Sequence, residues 1–348
     1  MNIGVTGFEA SKQPPHGGLQ LFEFPQPRPA VLADVLRGLS EQPRCIHPRY
    51  FYDARGSQLF EQITRCPEYY LTRAEHEILR DRAADIADAI GTGCTLIEPG
   101  SGTCTKVELL LEALEPALYA PLDISADTLR EAGERLAQHY PWLRCTAIAG
   151  DYDELERLPE LLPEQRRVVF YPGSTLGNFE PVAAVRFLRR LRTLAGLEGG
   201  VLLGVDINQD AALLNRAYND AAGITAAFNR NVLRHLNHLI GSDFVADGYD
   251  HIAFFNAQHR RIEMHLRSRY AQTVRIGAER IRLEAGEMIH TENSYKYGEP
   301  GLLALAAEAG LRCSRHWHDS DGLFGVYYLI ADAEMMIEEY AERAVSQI

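Results

Sequence analysis

Residues 95–106 read TLIEPGSGTCTK, and this stretch decides the fold. Its apolar run is typical of the end of a buried strand, and the run closes on an acid, Glu98. Gly100 and Gly102 permit a positive φ and a close approach of the backbone to a ligand. Thr103 is a candidate N-cap for the helix that follows. The pattern predicts a strand, loop and helix unit that binds a nucleotide-like ligand, although many such loops only connect a strand to a helix.

Two later acids support the ligand-binding interpretation. Asp123 ends the next apolar run, about twenty residues after the glycines, where a second-strand carboxylate meets ribose hydroxyls in a Rossmann-like unit. Asp151 and Tyr152 follow a third apolar run. Ligands of an open α/β sheet bind beyond the carboxyl ends of its strands, so these groups should converge on one crevice. Lys106 is not preceded by the glycine spacing of a P-loop, which favours an adenosine-containing ligand over a triphosphate.

Composition limits the classes of function. The chain has 348 residues, enough for one large or two interleaved domains. Its formal net charge of −13, without a basic stripe, argues against a nucleic-acid partner. No apolar stretch reaches the ~18 residues of a membrane span, and no secretory signal pattern opens the sequence. The six cysteines form no Cys-x-x-Cys pair. We therefore expect a cytoplasmic protein, a monomer, with reduced thiols.

The order of the apolar runs predicts the architecture. Short runs alternate with amphipathic helices as far as residue 207, which is typical of a parallel, doubly wound sheet. One such helix is expected to run from Ala74 to Ile90. After residue 207, helical spacing and strand-like alternation replace the repeat, which indicates an inserted α+β subdomain.

The same change of pattern predicts the domain boundaries. We expect residues 1–28 to form a loosely ordered lead-in. Residues 29–73 and 208–296 are expected to form a substrate-binding or lid domain. Residues 74–207 and 297–348 are expected to form the Rossmann-like domain.

Candidate substrate groups lie in several of these segments. Gly173 would let the backbone approach a ligand, and Asn178 offers a donor and an acceptor, although it could instead cap the next helix. Glu292 and Ser294 share one face of a predicted strand because side chains two apart point the same way; a solvated strand face is the alternative. Met264 fits a plain core position equally well.

Tyrosines and histidines also need an interpretation. Tyr52 and Tyr69 lie in tyrosine-dense blocks, and amphipathic tyrosines often pack on a core with their hydroxyls in water. Two histidine groupings, at residues 235–238 and 316–319, could ligate a metal. A metal site needs a third and fourth ligand that the sequence does not identify, so we predict none.

Together these blocks resemble one family, the S-adenosylmethionine-dependent histidine N-alpha-methyltransferases that make trimethylhistidine (hercynine) in ergothioneine biosynthesis. The resemblance runs from about Phe51 to about Ile330. It is carried by the motifs FYD (51–53), PEYY (67–70), the EPGSG loop (98–102) with Lys106, PLDIS (121–125), GSTLGN (173–178), AAFNRN (226–231), IEM (262–264) and TENS (291–294).

The resemblance implies a class I methyltransferase fold with S-adenosyl-L-methionine as cofactor. The implied cofactor-binding residues are Glu98, Gly100, Ser101, Gly102, Lys106, Asp123, Asp151 and Tyr152. The implied substrate-binding residues are Tyr69, Gly173, Asn178, Tyr218, Met264, Glu292 and Ser294. Catalytic roles are implied for Tyr52, near the substrate amino group, and for Asn178, which with Tyr218 would hold the substrate carboxylate. A tyrosine that only packs its helix is the alternative for Tyr218.

Glu292 and Ser294 would hydrogen-bond the imidazole, with Met264 and Tyr69 beside the ring. An imidazole has two polar edges, and a site that satisfies both rejects side chains that leave a buried carboxylate unpaired. We therefore expect successive N-alpha-methylation of L-histidine. The alternatives are an N-methyltransferase of another amino acid or small amine, a nicotinamide dehydrogenase with the same glycine loop, and a non-catalytic binding module.

Overall fold

The computed structural model describes residues 18–24 and 28–333. The strands of this part of the chain are β1 (Leu19–Glu23), β2 (Arg44–Cys45), β3 (Thr95–Pro99), β4 (Leu118–Asp123), β5 (Cys145–Ala149), β6 (Arg167–Tyr171), β7 (Gly200–Asp206), β8 (Tyr249–Asn256), β9 (Arg261–Ser268), β10 (Gln272–Ile276), β11 (Glu279–Leu283), β12 (Met288–Tyr295), β13 (Leu311–His318) and β14 (Phe324–Ala331).

The α-helices alternate with the strands in the first half of the chain. They are α1 (Arg28–Ser40), α2 (Ala54–Thr64), α3 (Tyr70–Asp81), α4 (Ala83–Ile90), α5 (Glu108–Leu114), α6 (Ala126–His139), α7 (Leu158–Leu161), α8 (Pro181–Ala195), α9 (Ala211–Ala217), α10 (Ile224–Ile240) and α11 (Gly298–Glu308).

The large sheet has eight strands in the order β1-β5-β4-β3-β6-β7-β14-β13. Its strands are parallel except β14, which pairs antiparallel with both β7 and β13. All residues of β3, β5 and β7 are buried, as expected for strands covered by helices on both faces. The predicted doubly wound α/β class is thus confirmed, and the carboxyl ends of β3, β4, β5, β6 and β7 lie along one edge.

Part of the predicted lead-in is an ordered strand. Leu19–Glu23 pairs in parallel with Cys145–Ala149 at the edge of the large sheet. Leu19 and Leu21 pack against the buried cluster formed by Leu129, Ala147 and Ala149. The alternating apolar residues therefore give β1 a face to bury, so the expectation of a loosely ordered segment was wrong for these residues. Residues 1–17 and 25–27 lie outside the described part of the chain.

Two predicted helices have different bounds. The expected helix from Ala74 to Ile90 is divided into α3 and α4 because Arg82 leaves helical geometry, with φ −115° and ψ 11°. The helix after the glycine loop begins at Glu108 rather than near Thr103. Cys104 has a φ of 56°, which few residues with a side chain adopt, and this conformation delays the start of the helix.

A second, four-stranded sheet has the order β2-β12-β9-β8. Its strands come from the segments predicted to form the substrate domain; the division into domains itself stays a prediction. The loop after β6 approaches β12 so closely that a Cβ on Gly177 would lie 2.8 Å from the Tyr295 carbonyl oxygen. This approach brings the carboxyl edge of the large sheet against one face of β12, and the candidate site lies where they meet.

Candidate active site

One cavity contains every side chain for which the sequence predicted a substrate or catalytic role. These residues are Tyr52, Tyr69, Gly173, Asn178, Tyr218, Met264, Glu292 and Ser294. They come from segments that the chain separates by up to about 240 residues, and the structure brings all of them together. The cavity also has lining residues that the sequence did not predict: Phe60, Ile63, Leu71, Ser174, Thr175, Ala217, Thr225 and Phe228.

Aromatic rings form one wall of the cavity. The ring centre of Tyr52 lies 5.9 Å from that of Phe60 and 5.8 Å from that of Phe228. Tyr69 lies 6.5 Å from Phe60 and 6.2 Å from Tyr218. Several ring faces and edges within this range form a surface that suits a cationic, methylated nitrogen.

The structure answers the question that the sequence left open for Asn178. Helix α8 begins at Pro181, and its N-cap is Glu180, so Asn178 does not cap that helix. Asn178 ends a short 3-10 helix, Thr175–Asn178, and lines the cavity. The side-chain amide has no hydrogen bond to another described residue, so both its donor and its acceptor are available to a ligand.

Glu292 and Ser294 form the polar part of the opposite side. A register shift between His290 and Glu292 turns the strand locally, and Glu292 then pairs with Met264 on β9. Glu292 is 8% exposed, and within the described residues no group donates a hydrogen bond to its carboxylate. Burial raises the pKa of Glu292 to about 8, although the charge of Lys296 opposes this shift. A buried carboxylate without a partner is costly in the free protein and available to a ligand.

A buried lysine that the sequence analysis missed supports Ser294. Lys296 is fully buried, and its Nζ lies 2.8 Å from Asp206 Oδ2. The same ammonium donates to Ser294 Oγ at 3.0 Å and to Tyr218 Oη at 3.3 Å. Tyr218 in turn donates to Ser294 at 2.9 Å. The Tyr218 hydroxyl proton is therefore engaged with Ser294, and the predicted contact of Tyr218 with a substrate carboxylate would compete with that bond.

The predicted cofactor loop lies at the ends of β3 and β4. The Gly102 amide donates to Asp123 Oδ2 at 2.9 Å, and the Gly100 amide donates to the Leu122 carbonyl at 2.7 Å. Burial raises the pKa of Glu98 to about 8, and the carboxyl accepts a hydrogen bond from the Tyr119 hydroxyl. Glu98 is 1% exposed, so it supports the loop from the protein interior. Ser101, also in this loop, is 9% exposed.

A second buried acid connects this loop to the loop after β6. Lys106 Nζ lies 2.7 Å from Glu75 Oε2, and the Gly173 amide donates to Glu75 Oε1 at 2.7 Å. A Cβ on Gly173 would lie 2.9 Å from Lys106 Nζ, so only glycine fits here without displacing the lysine. Glu75 is 1% exposed and was not predicted. Its position on α3 lets one carboxylate orient two predicted ligand-binding residues.

Asp151 and Tyr152 close the other side of the crevice. Asp151 Oδ2 lies 2.6 Å from an Arg49 nitrogen, and Asp151 Oδ1 accepts the Tyr152 amide at 2.5 Å. The Tyr152 ring packs 5.3 Å from Phe187. A Cβ on Gly100 would lie 2.7 Å from the Tyr152 hydroxyl oxygen. The glycine loop thus has no room for a side chain at residue 100, and Arg49 engages the Asp151 carboxylate.

Histidines lie together at a separate place. Ligand atoms of Glu299, His316 and His318 are within 4.8 Å of one another, so the sequence missed Glu299 as a neighbour of this pair. His318 Nε2 is also 3.1 Å from the Tyr327 hydroxyl. In the other grouping, His235 Nδ1 lies 2.8 Å from the Tyr50 carbonyl oxygen. None of these residues lines the cavity described above.

Comparison with known proteins identifies the family. The profile of the family described as "Histidine-specific methyltransferase, SAM-dependent" matches residues 31–331. The chain belongs to this family. A histidine N-alpha-methyltransferase of Mycolicibacterium smegmatis is 44% identical over 304 residues, covering 85% of this chain and 94% of that protein. The corresponding Mycobacterium tuberculosis protein is 41% identical over 303 residues, with the same coverage of both chains.

A longer fungal relative matches in one part of its length. Ergothioneine biosynthesis protein 1 of Neurospora crassa is 36% identical over 283 residues, which cover 79% of this chain and 32% of that protein. Within the described residues, no helix has both the length and the apolar character needed to cross a membrane.

Membership in the family makes S-adenosylmethionine the cofactor, and the residues at the carboxyl edge fit it. Gly100 and Gly173 both have a positive φ, and a Cβ on either would lie within 3 Å of a polar atom of Tyr152 or Lys106, so both loops present bare backbone beside these polar groups. Asp123 follows the glycine loop on the neighbouring strand, where its carboxylate can accept hydrogen bonds from ribose hydroxyls. Lys106 lies beside the same loop and is paired with Glu75, and its contact with the cofactor stays a prediction.

Replacing Asp123 with alanine should lower the affinity for S-adenosylmethionine about ten- to a hundred-fold. The reason is the loss of a charged hydrogen bond worth about 1.5–3 kcal/mol. Titration calorimetry of the folded variant measures the change. Asp127→Ala is a matched control, because the Asp127 side chain is 91% exposed on the next helix. Unchanged affinity in Asp123→Ala would contradict the assignment.

Replacing Glu292 with glutamine should stabilise the ligand-free protein, more at pH 8.5 than at pH 5. The native carboxyl keeps its proton to about pH 8, whereas the unfolded one loses it near pH 4.3. Between these values the native state binds more protons, so the Glu292 contribution to stability falls as pH rises. Glutamine does not titrate. Melting curves of the two proteins at pH 5 and pH 8.5 test this prediction. An equal difference in melting temperature at the two pH values would contradict it.

Proposed function

We propose that this protein transfers methyl groups from S-adenosylmethionine to the α-amino nitrogen of L-histidine, in three successive steps that give trimethylhistidine (hercynine) for ergothioneine biosynthesis. The observation that carries the proposal is the pair of polar groups on one face of β12. Glu292 is a buried carboxylate without a hydrogen-bond partner among the described residues, and Ser294 lies two residues away on the same side. Together they can satisfy both edges of an imidazole.

The remaining cavity residues suit an α-amino acid. The unpartnered Asn178 amide can hold the carboxylate, and it lines the same cavity as Gly173 and the aromatic wall. Met264, which is 2% exposed and opposite Glu292, packs beside the ring. The contact of Tyr218 with the carboxylate stays a prediction.

The reaction needs a neutral amine held in line with the donor. When bound, S-adenosylmethionine supplies a methyl group on a positively charged sulfur; the new N–C bond forms as the S–C bond breaks. An α-amino group with a pKa near 8 loses its proton at small cost at neutral pH, so positioning can supply most of the acceleration. The aromatic wall of Tyr52, Phe60, Tyr69 and Phe228 favours the positive charge that remains permanently after the third transfer.

Tyr52 is the group we assign to the amine. Burial, and then the charge of Glu292, raises the pKa of Tyr52 well above its usual value, so its side chain is a neutral hydroxyl at physiological pH. The hydroxyl can accept an N–H of the substrate amine and orient its lone pair, and it can pass the released proton to water. It does not act as a phenolate base.

Incubation of the purified protein with S-adenosylmethionine and a mixture of the standard amino acids tests the proposal. Mass spectrometry should show trimethylhistidine as the methylated product. A different methylated amino acid would preserve the cofactor assignment but overturn the histidine pocket. An absence of any methylated product would overturn the enzymatic proposal in favour of a binding module.

Replacing Tyr52 with phenylalanine should lower kcat for each of the three methylations about ten-fold or more, which corresponds to a lost hydrogen bond of about 1.4 kcal/mol in the transition state. Quenched time courses that separate the mono-, di- and trimethylated products measure each step. Tyr270→Phe is the matched control, since Tyr270 is 48% exposed and outside the cavity. Normal rates for all three steps in Tyr52→Phe would refute the role.

A further inference from the structure

The ammonium of Lys296 constrains the hydroxyl groups above it. A lysine ammonium has three N–H donors and no acceptor. Lys296 directs these donors to Asp206, Ser294 and Tyr218, at 2.8, 3.0 and 3.3 Å. The lysine is fully buried. All three donors are therefore used inside the protein, and the ammonium contacts the cavity only through the two hydroxyl groups.

The direction of the remaining protons follows from this arrangement. A serine hydroxyl has two lone pairs and one hydrogen. Ser294 Oγ accepts from Lys296 and also from the Tyr218 hydroxyl at 2.9 Å. Both lone pairs are filled, so Ser294 can only donate further. Within the described residues no group accepts the Ser294 proton, and Ser294 lines the cavity. The site thus offers a fixed O–H donor beside the carboxyl group of Glu292, which can accept through an oxygen that carries no proton.

We propose that Lys296 is a positioning residue that fixes Ser294 as a donor, so that the site selects a neutral azole ring with one N–H and one unprotonated nitrogen. The unprotonated nitrogen accepts from Ser294, and the ring N–H donates to Glu292. The inference rests on the proposed function, because the ring is the imidazole of histidine. A charged imidazolium, with two donors and no acceptor, leaves the Ser294 proton without a partner.

Lys296 also acts on Glu292 through its charge. The tyrosines Tyr52, Tyr69 and Tyr218 face Glu292 as neutral hydroxyl groups, and Asp206 lies on the far side of Lys296. Lys296 is the cation that opposes the raised pKa of Glu292. Without Lys296, the carboxyl holds its proton to higher pH, and a protonated carboxyl is a poorer acceptor for the ring N–H.

Substrate analogues separate this role from a purely structural one. The two pyrrolylalanine isomers keep one ring N–H and replace the unprotonated nitrogen with C–H. For the better isomer, kcat/KM with the unmodified protein should be about ten- to a hundred-fold below that for histidine, because the Ser294 donor loses its partner. In Ser294→Ala, kcat/KM for this isomer should come within about three-fold of kcat/KM for histidine.

The decisive variant is Lys296→Met combined with Asp206→Asn, which removes both charges and leaves no buried ion unpaired. In this double variant, kcat/KM for the better pyrrolylalanine isomer should come within about three-fold of that for histidine. KM for histidine should rise about ten-fold, and the acidic limb of the pH profile of kcat/KM should move to higher pH. Tyr270→Phe is the control, because Tyr270 is 48% exposed and lies outside the cavity. The ratio of kcat/KM for histidine to kcat/KM for pyrrolylalanine should be the same in this control as in the unmodified protein.

Two results would overturn the inference while histidine methylation persists. One is an unmodified protein that accepts pyrrolylalanine as well as histidine; the other is a folded double variant that discriminates as strongly as the unmodified protein. If the double variant does not fold, Ser294→Ala still tests the donor, and retained discrimination in that variant contradicts it. Failure of the unmodified protein to methylate histidine would overturn the proposed function itself.

Discussion

The buried ion pair between Lys296 and Asp206 is the interaction on which the site depends. Both side chains are fully buried, and each leaves an uncompensated charge if the other is removed. Asp206 ends β7 of the large sheet, whereas Lys296 directly follows β12 of the smaller one. The pair therefore fixes the substrate side of the cavity against the cofactor edge. It also holds Ser294 and Tyr218 in register with Glu292, two residues away from Ser294.

Helix α3 supports both halves of this arrangement. Near its start, Tyr70 donates to both oxygens of Asp206, at 2.7 and 2.8 Å. One turn further along, Glu75 accepts from the Gly173 amide and pairs with Lys106. One rigid element thus orients the support of the substrate pocket and two groups of the cofactor crevice. Because one helix contacts both sides of the cavity, the substrate groups and the cofactor groups keep a fixed distance from each other, as methyl transfer requires. Glu292 has the opposite effect on stability. Its buried carboxyl group has no hydrogen-bond partner among the described residues, so it lowers the stability of the free protein at the place where a ligand must be recognised.

The sequence predicted those parts of the fold and site that rest on local patterns. Alternating apolar runs identified the parallel sheet, and the family motifs placed eight residues that do line one cavity. Lys296 and Glu75 were missed because their partners lie tens of residues away. Signals for both were present. The chain has only three lysines, Lys12, Lys106 and Lys296, so a lysine beside TENS in an arginine-rich sequence was informative. Glu75 lies one turn from Leu71 on the apolar face of α3, where a charge needs a partner. The late start of α5 depends on the backbone of Cys104, which no propensity indicates.

The most direct measurement is the nitrogen-15 NMR spectrum of ring-labelled histidine bound to the protein in the presence of S-adenosylhomocysteine. Recognition by a donor at Ser294 and an acceptor at Glu292 predicts two well-separated ring signals, one from a protonated and one from an unprotonated nitrogen, with little change across neutral pH. Two nearly equivalent signals from a protonated imidazolium, or an averaged pair that titrates as in free histidine, would contradict the fixed pairing of both ring edges on which histidine selectivity depends here.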